Sequence, residues 1–214
     1  MSVSRAVELK SFLDVFSQLE DPRVERTRLY TVSEILLTTL CGVIAGCDGW
    51  ADIELFAKQR LDFLRQYLPF ENGTPSDDTL RRFFRAVDPQ RFQTLFAQWV
   101  SASGLNATRQ VGERTGSDKR YYIASRSTGV HHLLGTIRTH WAIENSLHWV
   151  LDMSFGEDQS RIRRDNAPAN IAVIRHAVLN AINAVKNKRT SIKQMRKLAG
   201  WDQYTLQNIL AVLV

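Results

Sequence analysis

The segment HWAIENSLHWVLDMSFGEDQSR, residues 140–161, decides how the rest of this 214-residue chain is read. His140, Glu144, His148 and Asp152 recur at four-residue steps, which at 3.6 residues per turn makes one polar stripe on a helix. Ile143, Leu147 and Leu151 repeat at the same step beside it as an apolar seam, with Trp141 and Trp149 adding bulk. A solvated face is the ordinary reading of such a stripe. A zinc site of His140, Glu144 and His148 has the right facing, but it is not a His-Glu-x-x-His arrangement and has no evident distant ligand, so the histidines read as a polar structural edge. The segment after the stripe favours phosphate chemistry. Phe155 to Gln159 reads as a turn, and Arg161, Arg163 and Arg164 follow within four positions. Arginines close behind a carboxylate suit a site where the acid holds a metal and the guanidinium groups hold a phosphate backbone.

Charge is unevenly spread. Residues 1–100 hold 12 basic and 14 acidic side chains, a net of -2, and residues 101–214 hold 16 and 8, a net of +8. The basic half points to a polyanion partner, nucleic acid ahead of an anionic membrane. Within it Lys186, Lys188, Arg189, Lys193, Arg196 and Lys197 form a run without an acid, a phosphate-backbone surface in prospect. Cys41 and Cys47 sit in an apolar run, as small buried hydrophobes in a reducing compartment do. The apolar stretch from Ile35 to Cys47 is shorter than the roughly 20 residues of a membrane span, and the N-terminus lacks a signal core, so a cytoplasmic location is expected.

Taken in order, the periodicity predicts a helix over about 7–19, then one capped by Thr31 or Ser33 that is apolar nearly all round and ends near Cys47. An amphipathic helix is expected over Trp50–Tyr67, then a loop over 69–75 and a helix capped by Ser76 or Asp77. Another, starting at Asp88 and Pro89, turns Phe92, Leu95, Phe96 and Trp99 inward. SDDTLRRFFRAVDPQRFQTLF reads equally as a helix-turn-helix with Arg81, Arg82 and Arg85 on its exposed face and as two ordinary adjacent helices. Residues 101–119 have linker composition, and RYYIAS at 120–125 reads as an isolated strand. Asp165 or Asn166 caps a long helix with Pro168 in its first turn. Ile171, Ile174, Val178 and Ile182 form its seam, and Arg175 is expected off it and open to DNA. A closing amphipathic helix spans 201–214.

Several rare clusters resemble one family. WAIEN, LHWVLD, FGEDQSRIRRDNAP and NIAVIRHAVLNAI look like the C-terminal end of the H-repeat-associated insertion-sequence transposases, a bacterial DDE-type family. SFLDVFSQLEDPR, LLTTLCGVIAGCDGWADIELFA and FLRQYLPFENGTPSDDTLRRFF are similar to that family's associated N-terminal domain. The resemblance implies an RNase H-like, two-metal centre whose third acid comes from the Trp-x-Ile-Glu element, matched here by Glu144. The Asp-Gly-Lys and Thr-x-Asp-Ala segments that supply the other two acids are missing, and only VSASGLNATRQVGERTGSDKR lies between Trp99 and Tyr121. The expected architecture is mainly α: an N-terminal transposase-associated helical domain over 1–100, a linker or deletion scar over 101–119, and over 120–214 the helical remnant of the catalytic domain with its one strand. Mg2+ serves the intact family. Glu144 alone is an incomplete site, since one carboxylate cannot position two ions about 4 Å apart. The implied role is a DNA-binding protein of DNA transposition without autonomous catalysis, with element-end DNA and a full-length transposase or a second copy as partners. A nuclease rebuilt around Glu144 and a non-catalytic helical interaction protein or relic are the alternatives.

Overall fold

Thr31 fixes the start of the first long helix. In the computed structural model, which describes residues 15–16, 18–25, 28–102 and 148–213, the Thr31 hydroxyl accepts from the Glu34 backbone N–H at 3.1 Å. The Glu34 carboxylate accepts in return from the Thr31 N–H at 2.9 Å. The helix so capped, α1 (Val32–Ile44), buries Ile35, Leu36, Leu37, Leu40, Cys41, Val43 and Ile44, the all-round burial its composition predicts. Glu34 has a further role: its second oxygen accepts from the Phe70 N–H at 2.8 Å and pins a residue whose φ is +46°. Ahead of α1, Asp21 pairs with Arg23 at 2.6 Å, and Arg23 also donates to the Tyr30 carbonyl at 2.6 Å.

The expected helix over Trp50–Tyr67 is two helices, α2 (Trp50–Gln59) and a single turn, α3 (Leu61–Leu64). The break falls at Arg60, whose φ and ψ of -118° and 24° leave the helical region and whose guanidinium reaches across to the Gly200 carbonyl at 3.0 Å. Next come α4 (Asp77–Ala86), capped by the Ser76 hydroxyl, and α5 (Pro89–Ala102). Two residues join them, and Asp88, restricted by the proline after it, cannot continue α4. Trp50 of α2 stacks on Phe84 of α4 at 5.1 Å, and Phe84 meets Phe92 of α5 edge-on at 6.3 Å, so an aromatic ladder binds the three helices.

In the second half, α6 (Trp149–Phe155) ends where Gly156 takes left-handed φ and ψ of 59° and 38°. The turn expected at 155–159 follows, with Gln159 and Ser160 bonded back to Gly156 and Glu157. Then come α7 (Ala167–Val185), α8 (Ile192–Trp201) and α9 (Gln203–Leu210). α7 is the hub, packed against α1, α4, α5, α8 and α9. Its seam of Ile171, Ile174, Val178 and Ile182 enters the same apolar cluster as Leu40 of α1, Phe84 of α4 and Leu206 of α9. Asn170 in its first turn is fully buried and donates to the carbonyls of Phe84 at 2.9 Å and Val87 at 3.0 Å. The closing helix expected over 201–214 is shorter, because the Asp202 carboxylate accepts from the Thr205 N–H at 2.8 Å and caps α9 afresh. α8 precedes it with a capping box of its own, Ser191 with Gln194.

All the described elements are helical, so the fold is mainly α. The strand expected at 120–125 and the 7–14 part of the first expected helix lie outside the described residues. So do 103–119 of the expected linker.

Arg196 of α8 is 4% exposed and joins three elements. It donates to the carbonyls of Val43 at 3.0 Å and Cys47 at 3.3 Å beyond the end of α1, to the Ser154 carbonyl of α6, and to Asp48 at 3.0 Å, with its plane over the Phe155 ring at 4.3 Å. Replacing it by Met strands those carbonyls away from water. Arg196→Met is expected to lose about 3 kcal/mol of unfolding free energy in urea, against under about 0.5 kcal/mol for the exposed Lys193→Met. Equal losses would show that the guanidinium carries no structural role. At Gly200 two effects compete. A Cβ there would lie 2.8 Å from the Ala45 carbonyl oxygen, a backbone atom that cannot step aside. Overpacking of about 1–3 kcal/mol outweighs the roughly 1 kcal/mol that alanine gains in helix propensity, so Gly200→Ala is expected to melt earlier. A higher melting temperature would disprove the close α8–α1 approach.

Candidate nucleic-acid interface

Arg81 and Arg85, one helical turn apart on α4, share a face. Across from them runs the non-helical stretch from Ser160 to Asn166 that leads into α7. Ile162, 8% exposed, anchors this stretch in the core and leaves Arg161, Arg163 and Arg164 exposed around it. The result is a cleft of about 300 Å³ in which Arg81 and Arg85 from the near-neutral half meet Arg161, Arg163 and Arg164 from the basic half. Trp50, stacked on Phe84, and Ala167 at the start of α7 complete its wall.

The arginines differ in what already holds them. Arg81 pairs with Asp77 at 2.5 Å, Arg82 on the outer face of α4 pairs with Asp78 at 2.5 Å, and Arg85 donates to Asp165 at 2.6 Å. Arg163 donates its Nε to the Ser160 carbonyl at 2.9 Å, which shapes the stretch and leaves its charge uncompensated. Among the described residues no carboxylate pairs with Arg161, Arg163 or Arg164. Six arginines against three aspartates give the cleft and its rim a net +3. Guanidinium groups around a concavity suit phosphate oxygens, which they meet with paired, charge-assisted hydrogen bonds.

Two residues expected at a DNA surface are not there. Arg175 is 4% exposed; it meets Glu157 at 3.4 Å and the Ser160 hydroxyl at 3.2 Å, so it braces the turn in front of the arginine stretch. Its register explains the correction: four residues after Ile171 and three before Val178, it lies on the buried seam rather than off it. Arg196 likewise follows Ile192 by four and precedes Ala199 by three, and is spent on the contacts to α1 and α6. The remaining basic residues do form an outer surface. Lys186 is half-buried, Lys188 and Arg189 are exposed in the loop after α7, and Lys193 and Lys197 lie one turn apart on the open face of α8. Ala167 and Lys186 mark opposite ends of α7, whose 19 residues span roughly 28 Å, so this surface is separate from the cleft.

His140 and Glu144 lie outside the described residues. Of the acids that follow, Asp152 has its carboxyl pushed up by burial and then by neighbouring Asp158 and Glu157, with His148 opposing. Burial pushes His176 down, and Glu157 partly offsets it. Among the described residues no three His, Cys, Asp or Glu side chains converge as metal ligands do. The sequence reading missed Trp50 as part of the cleft and Asp165 as the partner of Arg85, since both are placed only by contacts across the fold.

Comparison with known proteins bears on both halves. The model of the DDE_Tnp_1-associated family matches residues 13–100. The chain is 46% identical over 76 residues to the inactive transposase YbfQ of Escherichia coli K12, covering 36% of this chain and 90% of that protein. It is 36% identical over 134 residues to the H repeat-associated putative transposase YhhI of the same strain, covering 62% of this chain and 35% of YhhI. The putative transposase YncI of Escherichia coli O157:H7 aligns at 21% identity with 96% of this chain and 95% of its own length. That alignment is 372 positions long, and 214 residues leave at least 158 of them facing a gap in this chain. The chain thus spans about a third of YhhI, and it reaches both ends of YncI only across a large interruption. No solved structure matches. No described helix is long and apolar enough to cross a membrane. With its N-terminal half matched by the associated-domain model and nearly all of YbfQ covered at 46% identity, the chain belongs to the H-repeat-associated transposase family.

Proposed function

We propose that this chain is a DNA-binding member of its family that recognises insertion-sequence ends and lacks autonomous strand-cleaving activity. The observation that carries the DNA-binding part is the cleft in which Arg81 and Arg85 of α4 meet Arg161, Arg163 and Arg164. A charge-neutral N-terminal half gains a phosphate-binding face only when the arginine stretch is laid against it, so the site belongs to the joined chain. Lys186, Lys188, Arg189, Lys193 and Lys197 supply a second, looser contact to the backbone.

The loss of catalysis rests on the sequence. Glu144 is the one position that matches a catalytic acid of the family, and the segments that would bring the other two are missing. The interruption of at least 158 positions against the 372-position alignment to YncI supports an internal deletion between the two matched ends. A protein that retains end recognition without chemistry would occupy the element's ends or join an oligomer of the full-length enzyme, and so interfere with transposition. Cytoplasmic DNA is the setting this role requires.

Two outcomes test the proposal. In a fluorescence-anisotropy titration, a duplex carrying the element end is expected to bind more tightly than a scrambled duplex. Arg161→Gln combined with Arg164→Gln should weaken both and flatten the salt slope by about 1.8, as two lost phosphate contacts require. Unchanged affinity in that double variant would remove the cleft from the DNA interface. In a nicking assay with supercoiled plasmid bearing the element end, added Mg2+ is expected to produce no cleavage. Nicking that disappears in Glu144→Ala would establish the rebuilt nuclease instead.

A further inference from the structure

We propose that the arginine cleft seats one backbone phosphate of DNA at the place now taken by the Asp165 carboxylate, so that Asp165 is a built-in competitor which the nucleic acid displaces. The inference rests on the DNA-binding reading and adds to it an atom-level seat and a brake on affinity.

The seat is defined by an anion already in it. The Asp165 carboxylate accepts from Arg85 Nε at 2.6 Å, and Arg85 lines the cleft together with Arg81, Arg161, Arg163 and Arg164. A carboxylate oxygen and a phosphodiester oxygen ask the same of a guanidinium: a short, charge-assisted N–H bond along the fork of the group. Arg81 is held by Asp77 on its own helix, whereas Arg85 is held by Asp165, 80 positions away, so a turn of the Asp165 side chain alone frees Arg85.

Three features mark Asp165 as displaceable. The pair is open to water, with side-chain exposures of 36% for Arg85 and 55% for Asp165, so breaking it uncovers no core. Asp165 has a φ of +51°, a left-handed state that residues other than glycine seldom adopt and that asparagine and aspartate tolerate best. Its carboxylate also does not cap the adjoining helix: the N-cap of α7 is Asn166, which makes no side-chain cap bond. The helix therefore loses no cap when Asp165 lets go of Arg85. A competitor in the seat would weaken binding to any duplex by a constant factor, leaving selection of the element end to the remaining contacts.

The test uses the full chain and a labelled mixed-sequence duplex three helical turns long, titrated across a range of salt. Asp165→Asn keeps a residue suited to positive φ and removes the charge. It is expected to bind about two- to fivefold more tightly, the worth of an exposed ion pair, with the salt slope unchanged, since the phosphate contact to Arg85 forms in the complex of both proteins. Asp165→Gly, which removes the charge and the backbone strain together, should tighten binding as well. The gain should vanish when Arg85→Gln is added, because a general charge effect would survive that change and a seat at Arg85 would not. Wild-type affinity in both Asp165 variants would overturn the inference, as would tightening that persists beside Arg85→Gln. Weaker binding in Arg85→Gln with no gain in Asp165→Asn would leave the DNA reading standing and remove only the competitor. If Arg85→Gln and Arg161→Gln both bind as wild type does, the DNA reading of the cleft falls and the inference falls with it.

Discussion

One buried amide sets the relation on which the functional face depends. Asn170, in the first turn of α7, donates both hydrogens of its side-chain amide to carbonyls at the end of α4, those of Phe84 and Val87. A helix leaves its last carbonyls without partners, and here they receive them from another helix instead of from water. Its Oδ1 has no partner, so the group accepts the cost of burying one polar atom in order to satisfy two. The clamp holds the start of α7 at the end of α4. Arg85 lies in the last turn of α4 and Arg164 just ahead of α7, so a contact that touches no arginine nonetheless decides that they face one another.

Arginine plays opposite parts on the two sides of that clamp. Arg196 and Arg175 are sunk to 4% exposure and spend their donors on carbonyls, a hydroxyl and carboxylates that hold turns and helix ends together. Arg161, Arg163 and Arg164 stay outside because Ile162, the one apolar side chain among them, is what the core takes. A count of positive charge along the chain treats these two sets alike. Separating them takes the helical register, and for α7 and α8 that register is available: Ile171 with Val178 and Ile192 with Ala199 bracket the two arginines that turned out to be structural.

Elsewhere the sequence was legible where local chemistry decides and silent where distant contacts do. Thr31 with Glu34 and Ser76 mark helix starts through bonds within a few residues, and these starts fall where the residues suggest. The break at Arg60 is silent in the sequence, because apolar spacing runs on through it, and there a guanidinium reaches the Gly200 carbonyl, 140 positions away. The box of Ser191 and Gln194 that starts α8 is a local signal of the same kind, set within the basic run. The cleft could not have been found from the sequence: its two arginine groups stand 80 positions apart, and their meeting follows from the packing of α7 on α4.

That packing also bears on how a chain with so large an interruption against YncI can hold together. Helices that lose a neighbour expose the face that neighbour covered, and a stable product needs another cover for it. The seam of α7 is covered by α1, α4 and α5, all from the N-terminal half, and α9 closes over α1 and α7 from the other end. The core of the described helices is therefore completed by segments from both halves of the chain. Large apolar side chains exposed among the described residues include Trp149 and Met153 on α6 and Trp201 at the end of α8, at 60%, 56% and 76%.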